Sequence, residues 1–314
     1  MFEFVTPHGL FRIQIHTLRE TLPGVMDGIE GSIHDARIAT RRIRELLPLL
    51  GDPKRRRPIE DLGSRFKRLG RSLGRVRDAD VRVALLASLE TRMPHAAPAL
   101  VVLRQQREYE RLTLLRKLIK RLERLEAVRM IEMLDDHRLS LAGPVAWAIR
   151  AGSTWKRDLG YTLRERAAAT TEAIDHATGV YFPNRVHGAR IAIKKMRYAM
   201  EIAHEVGGGN RNAQIRELKK AQDLLGDLHD RQELIDNLIE TSPSDRPEAA
   251  NQVALLKQVI EAENHDLHAR YLARRGAILE ICGAERHHHR RYPARSVVAA
   301  GALAISSGIY AKLR

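Results

Sequence analysis

The sequence predicts an all-α protein, and three observations carry that expectation. Apolar residues recur at helical spacing along nearly the whole chain. Runs of alternating apolar and polar residues between turn signals, which would mark strands, are missing. Glycine and proline fall in clusters between long uninterrupted segments, as they do between helices.

The segments follow in order. Pro23-Gly24 and the stretch from Gly28 to Gly31 are expected to end a first helix, and Gly51-Asp52-Pro53 a second. Pro94 to Pro98 ends a third. From Ala99 to Arg138 there is neither glycine nor proline, which allows a helix of about 60 Å at 1.5 Å per residue. Gly143-Pro144 closes this half. The next helix is expected from about Val145 to Thr178, before Gly179 and Pro183. Another follows to Gly207-Gly208-Gly209-Asn210, and a third to about Glu240. After the loop from Thr241 to Pro247, one long helix is expected to reach about Cys282. Each half thus has four helices.

Two pairs of segments relate the halves. His34-Asp35-Ala36-Arg37-Ile38-Ala39-Thr40-Arg41-Arg42-Ile43-Arg44 returns 153 positions later as His187-Gly188-Ala189-Arg190-Ile191-Ala192-Ile193-Lys194-Lys195-Met196-Arg197, followed by Tyr198. Both fit H-x-A-R-I-A-x-[RK]-[RK]-x-R. Downstream, Lys67-Arg68, Leu73-Gly74 and Arg77-Asp78 return as Lys219-Lys220, Leu225-Gly226 and His229-Asp230, now 152 positions later. Two anchors with matching offsets point to an internally duplicated four-helix unit. The expected domain spans 1–285, with halves of about 1–143 and 144–285, and 286–314 forms a basic and apolar tail.

Composition narrows the function. Of 314 residues, 44% are hydrophobic and 30% charged, a globular balance. Lys and Arg number 54 against 39 Asp and Glu, so the net charge of +15 favours a polyanionic partner. Aromatic residues are only 4%, which weakens a nucleic-acid reading built on base stacking. The single cysteine, Cys282, allows no intrachain disulfide and fits a reducing cytoplasm. The N-terminus has no signal-like apolar region.

On a helix, His34, Arg37, Arg41 and Arg44 share an arc of about 80°, and His187, Arg190, Lys194 and Arg197 repeat it. Arg42 and Lys195 lie on a neighbouring face. Like charges three and four residues apart cost an isolated helix about 0.2–0.5 kcal/mol per pair, a cost that a bound anion offsets. Arginine forks match phosphate oxygens and lysine supplies a point charge. Arg68, Arg71 and Arg75 form a further cationic row next to Lys67, and Arg216, Lys219 and Lys220 form its weaker counterpart. Asp78 and Asp230 read as orienters of nearby Arg or His, and Gly74 and Gly226 as places of close helix approach.

These motifs resemble those of the CHAD family, the conserved histidine α-helical domain, over roughly residues 1–285. The hallmark looks like H-x-x-R-x-x-x-R-R-x-R near the start of each half, with L-G-x-x-x-D downstream. The resemblance implies two four-helix bundles related by a pseudo-two-fold axis. It also implies a basic groove or pore between them that binds inorganic polyphosphate without catalysis or cofactor. His34, Arg37, Arg41, Arg42 and Arg44 match the first hallmark, and His187, Arg190, Lys194, Lys195, Arg197 and Tyr198 the second. The second copy has Lys where the first has Arg, which keeps charge and loses the fork. The E-x-E-x-K signature of the hydrolytic domain often fused to this family is not found, since Glu108-Tyr109-Glu110 is followed by Leu112. The expectation is therefore a stand-alone cytoplasmic binder, with polyphosphate granules as a destination.

Two other readings stay open. A nucleic-acid binder would share the charge. A metal-dependent phosphohydrolase would use the doublets His34-Asp35 and His229-Asp230, with His187 and Asp266 as guessed ligands. No metal site is expected from His265 and His268, or from His287-His288-His289. The tail segment Val297 to Ile305 is shorter than the ~20 residues that cross a bilayer. It fits an oligomeric interface, with a peripheral membrane or granule anchor as the alternative.

Overall fold

In the computed structural model the described residues are 6–50, 56–124, 144–177, 183–207, 209–241 and 247–288, with residues 128 and 131. The regular elements among them are nine α-helices and two short 3-10 turns. The helices are α1 Pro7–Met26, α2 Glu30–Leu46, α3 Arg56–Arg92 and α4 Ala97–Arg124, then α5 Pro144–His176, α6 Pro183–Gly207, α7 Asn212–Thr241, α8 Pro247–Leu272 and α9 Arg275–His288. The 3-10 turns are Leu47–Leu50 and Pro94–Ala96. The tail beyond 288, with its apolar segment, lies outside the described residues, as does the end of the long helix expected to reach Arg138.

Thr6 starts α1, its hydroxyl accepting from the Gly9 amide at 3.0 Å, with Pro7 in the first turn where its missing N–H costs nothing. Of the two stops expected from the sequence, Pro23-Gly24 and the stretch from Gly28 to Gly31, the first lies inside the helix, which continues to Met26. The real stop is Gly28, at φ +73°, where the Ile29 amide reaches back to the Gly24 carbonyl at 2.8 Å. That left-handed residue and its wrapped-back bond are the usual C-terminal helix closure. The turn also lies under α4, since a Cβ at Gly28 would sit 2.5 Å from Leu115, and Arg111 donates to the Gly28 carbonyl at 2.8 Å. Gly31, read as part of the break, lies inside α2.

A second difference is the last helix. Instead of one rod to Cys282, α8 stops at Leu272 and α9 begins at Arg275. At the break the Arg274 amide bonds to the Tyr271 carbonyl at 2.9 Å, a tightened turn. Arg274 pairs with Glu217 on α7, and Arg275 with Asp175 on α5 at 2.8 Å. No proline or glycine marks positions 273–274, and the buried positions Tyr271, Ile278 and Cys282 keep helical spacing across the break.

Consecutive helices pack as antiparallel neighbours: α1 on α2, α2 on α3, α3 on α4, then α5 on α6, α6 on α7 and α7 on α8, with α9 returning onto α5. The apolar stripe of each helix meets in one continuous core. It includes Ile15, Leu18, Ile33, Ile43, Phe66 and Leu73 from the first half and Leu163, Ile193, Met196, Leu225, Ile278 and Cys282 from the second. Each such side chain contributes about 1.5–3 kcal/mol by leaving water. A smaller core joins the far ends of the α3–α4 and α7–α8 hairpins, with Leu86, Leu89 and Leu100 against Leu234, Leu256 and Ile260. The two halves are therefore welded by apolar packing at both levels, and α2 and α6 touch directly between them.

Candidate functional site

The contact of α2 with α6 brings the two basic motifs together. Ile33, Ala36 and Ile43 on α2 and Ala189, Ile193 and Met196 on α6 are buried, which turns the adjoining cationic faces toward each other. Arg41 lies at the centre. Its guanidinium stacks over the Tyr198 ring at 3.5 Å and donates to the Tyr198 hydroxyl at 2.8 Å. Burial pushes Arg41 below the usual arginine value, and the Tyr198 hydroxyl opposes that.

Lys194 shows what this crowding does. Its ammonium is held down at about 8, first by burial and then by Arg190, Arg37 and Arg41, with Asp78 the carboxylate that opposes them. Cations from both motif helices thus act on one ammonium. Arg37 reaches Asp78 on α3 at 3.9 Å, a long contact that leaves its fork largely unspent. A Cβ at Gly74 would lie 3.6 Å from Arg37 Nε, and one at Gly226 would lie 3.8 Å from Arg190 Nε. The matching glycines therefore give each first motif arginine its path over the next helix.

The histidines differ between motifs. His34 is exposed on α2. His187 is half-buried, its ring 4.6 Å from His229 on α7, and its Nδ1 is buried with no hydrogen-bond partner among the described residues. Burial, Arg190 and Lys194 all lower the His187 pKa, and burial with Arg190 does the same for His229, so both rings favour the neutral form. The first half places Arg77 where the second has His229, and Arg77 instead forms an ion pair with Glu30. Beside His229, burial raises Asp230 to about 6 against the pull of Arg190, with Glu233, Asp78 and Asp227 adding to the rise.

Other residues of the predicted set are placed differently. Arg197 turns inward and is buried, its Nε donating to Gln222 at 3.0 Å and its other end to Glu201. Its remaining role toward the surface is to flank Tyr198, 4.7 Å from the ring centre. Arg42 pairs with Glu205, tying α2 to α6. Lys219 pairs with Asp223 at 2.7 Å and Lys220 with Glu217 at 3.8 Å, so these two cations carry local partners. Arg44, Lys67, Arg68, Arg71, Lys195 and Arg216 are exposed. Arg75 is exposed too but lines a cleft toward α4, away from α2. Sequence reasoning missed Glu233 and Arg82, which pair at 3.0 Å between α7 and α3 beneath the histidines. Only a contact between the halves reveals them, because they are 151 positions apart.

Among the described residues no three His, Cys, Asp or Glu side chains converge to hold a metal ion. No described helix is long and apolar enough to cross a membrane.

The class defined by these features is an all-α, strongly basic protein in which two like helices converge their cations on one face. The chain belongs to the CHAD domain family, whose model matches residues 9–239. The crystal structure of the CHAD domain from the plant Ricinus communis is similar to it, with a TM-score of 0.51 at 22% sequence identity. That match covers 91% of this chain and 93% of the plant chain, and it bears on the fold alone. Comparison with curated proteins finds no match.

Proposed function

We propose that this chain binds inorganic polyphosphate through the converged faces of α2 and α6 and does so without catalysis. The observation that carries the reading is Lys194, whose ammonium is destabilised first by burial and then by Arg190, Arg37 and Arg41 around it. An anion at this place relieves that repulsion, and a row of phosphates matches a row of cations better than one phosphate does. Arg37, Arg41, Arg190 and Lys194 are the principal contacts. Arg44, Lys195 and the exposed His34 extend the path on either side. Membership in the CHAD family supports the same ligand. A binder of this kind would bring itself to cytoplasmic polyphosphate granules.

Titration of long-chain polyphosphate against a duplex oligonucleotide at about 150 mM salt tests the reading. Binding to phosphate polymers is steeply salt-dependent, so the comparison needs fixed salt. Polyphosphate is expected to bind more tightly. Arg37→Ala with Arg190→Ala should weaken it by more than about 100-fold, taking a charge-assisted hydrogen bond at about 1.5–3 kcal/mol each. Equal affinity for the oligonucleotide would instead favour the nucleic-acid reading.

A further inference from the structure

A second basic site lies on the other flank of α3. There α3 and α4 enclose a cleft of about 230 Å³ lined by Arg75, Lys117, Lys120, Arg121 and Arg124 over Leu118. Among the described residues no carboxylate lines it. None of the five cations has an ion-pair partner among the described residues, whereas three arginines earlier in α4 do: Arg104 holds Glu90 and Glu108, Arg107 holds Glu110, and Arg111 holds Asp80.

The contrast lies within one helix. The first half of α4 spends its arginines on carboxylates, and its last two turns carry Lys117, Lys120, Arg121 and Arg124 at i, i+3, i+4 and i+7 without them. Like charges at these spacings repel. Leu118 and Leu122 on the same turns are fully buried, so the helix cannot rotate the cations apart without losing its core contacts. The helix thus keeps the backbone positions of these exposed cations around the concavity.

We propose that the α3–α4 cleft is a second anion site, for a short run of linked phosphates. Five cations around one concavity exceed what a single phosphate neutralises, and the leucine floor offers no aromatic face for a base. The site stands apart from α2 and α6, but its ligand class rests on the phosphate-polymer reading. Arg75 follows Gly74, the residue over which Arg37 passes, so the two sites lie on different faces of one helix about 10 Å across. A long chain can occupy both at once and gain by effective concentration.

The test is calorimetric titration with tripolyphosphate, too short to bridge the sites, on the full chain. Two sites are expected. Lys120→Ala with Arg121→Ala should remove one, and Arg37→Ala with Arg190→Ala the other. Both cleft positions are exposed, and circular dichroism with a thermal melt verifies that the variant folds. Unchanged stoichiometry and affinity in the cleft variant overturn the second site. A single site lost only in the cleft variant keeps it and overturns the α2–α6 reading. No tripolyphosphate binding by the unaltered protein overturns both.

Discussion

Lys194 is the residue at which the basic face is most out of balance. Its folded value of about 8 lies below the ordinary lysine value of 10.5. Without ligand, the folded chain holds fewer protons than the unfolded chain between those pH values, so stability rises with pH through that window. Below pH 8 the ammonium is charged in both states and its burial destabilises the fold. Lys194→Met should therefore raise the thermal midpoint at pH 7, by a contribution on the order of 1 kcal/mol after solvent screening. Binding has the opposite sign. A bound polyanion raises the lysine value again, so wild-type affinity should fall several-fold from pH 7 to pH 9 as the ammonium is lost. Lys194→Arg keeps its charge throughout that range and should flatten the profile. Affinity titrations at pH 7, 8 and 9 on the two proteins measure this, and parallel profiles would exclude Lys194 as a contact.

Among the elements, the pairing of each motif helix with the glycine of the next is the repeated design. Gly74 and Gly226 leave space for Arg37 and Arg190, with Cβ positions at ordinary contact distance from each arginine. Gly74→Ala fits there and removes a mid-helix glycine, which favours the helix by up to about 1 kcal/mol. Gly74→Leu puts a branched side chain where the Arg37 stem runs. The expected result is a melting temperature raised by alanine with polyphosphate affinity kept, and affinity lowered about tenfold by leucine, one charge-assisted contact being lost. Equal affinities for the two variants would show that the arginine path does not matter. The recurrence of arginines and glycines, at 153 and 152 positions, was legible in the sequence as a sign of close helix approach, without the arginines as its cause. The inward turn of Arg197 was not, because a helical stripe fixes only an angle about the axis. Its partners Gln222 and Glu201 decide the direction, and Gln222 belongs to another helix. The break between α8 and α9 was hidden for the same reason. It is held by Glu217 and Asp175, on helices distant in sequence, while the local pattern stays helical.

At the scale of the whole molecule, the doubled sequence suggests two bundles, and the packing joins them. The main core runs through both halves, and the distal core joins Leu86 and Leu89 to Leu234 and Leu256. The 3-10 turn Leu47–Leu50 packs on α5, and Arg42 on α2 holds Glu205 on α6. A polyphosphate site made from both motif helices depends on this union, because neither half presents Arg41 beside Lys194 alone. Apolar continuity of this kind leaves no surface along which one half can separate while the other stays dry. Calorimetry of the full chain should therefore show one cooperative unfolding transition, with the van't Hoff enthalpy equal to the calorimetric enthalpy. Polyphosphate at 100 times its dissociation constant should raise that transition as a unit, adding about 2.7 kcal/mol of linked stability. Two resolved transitions, with only one moved by ligand, would mean that the halves fold as separate domains and that the cations of α2 and α6 do not act on one chain.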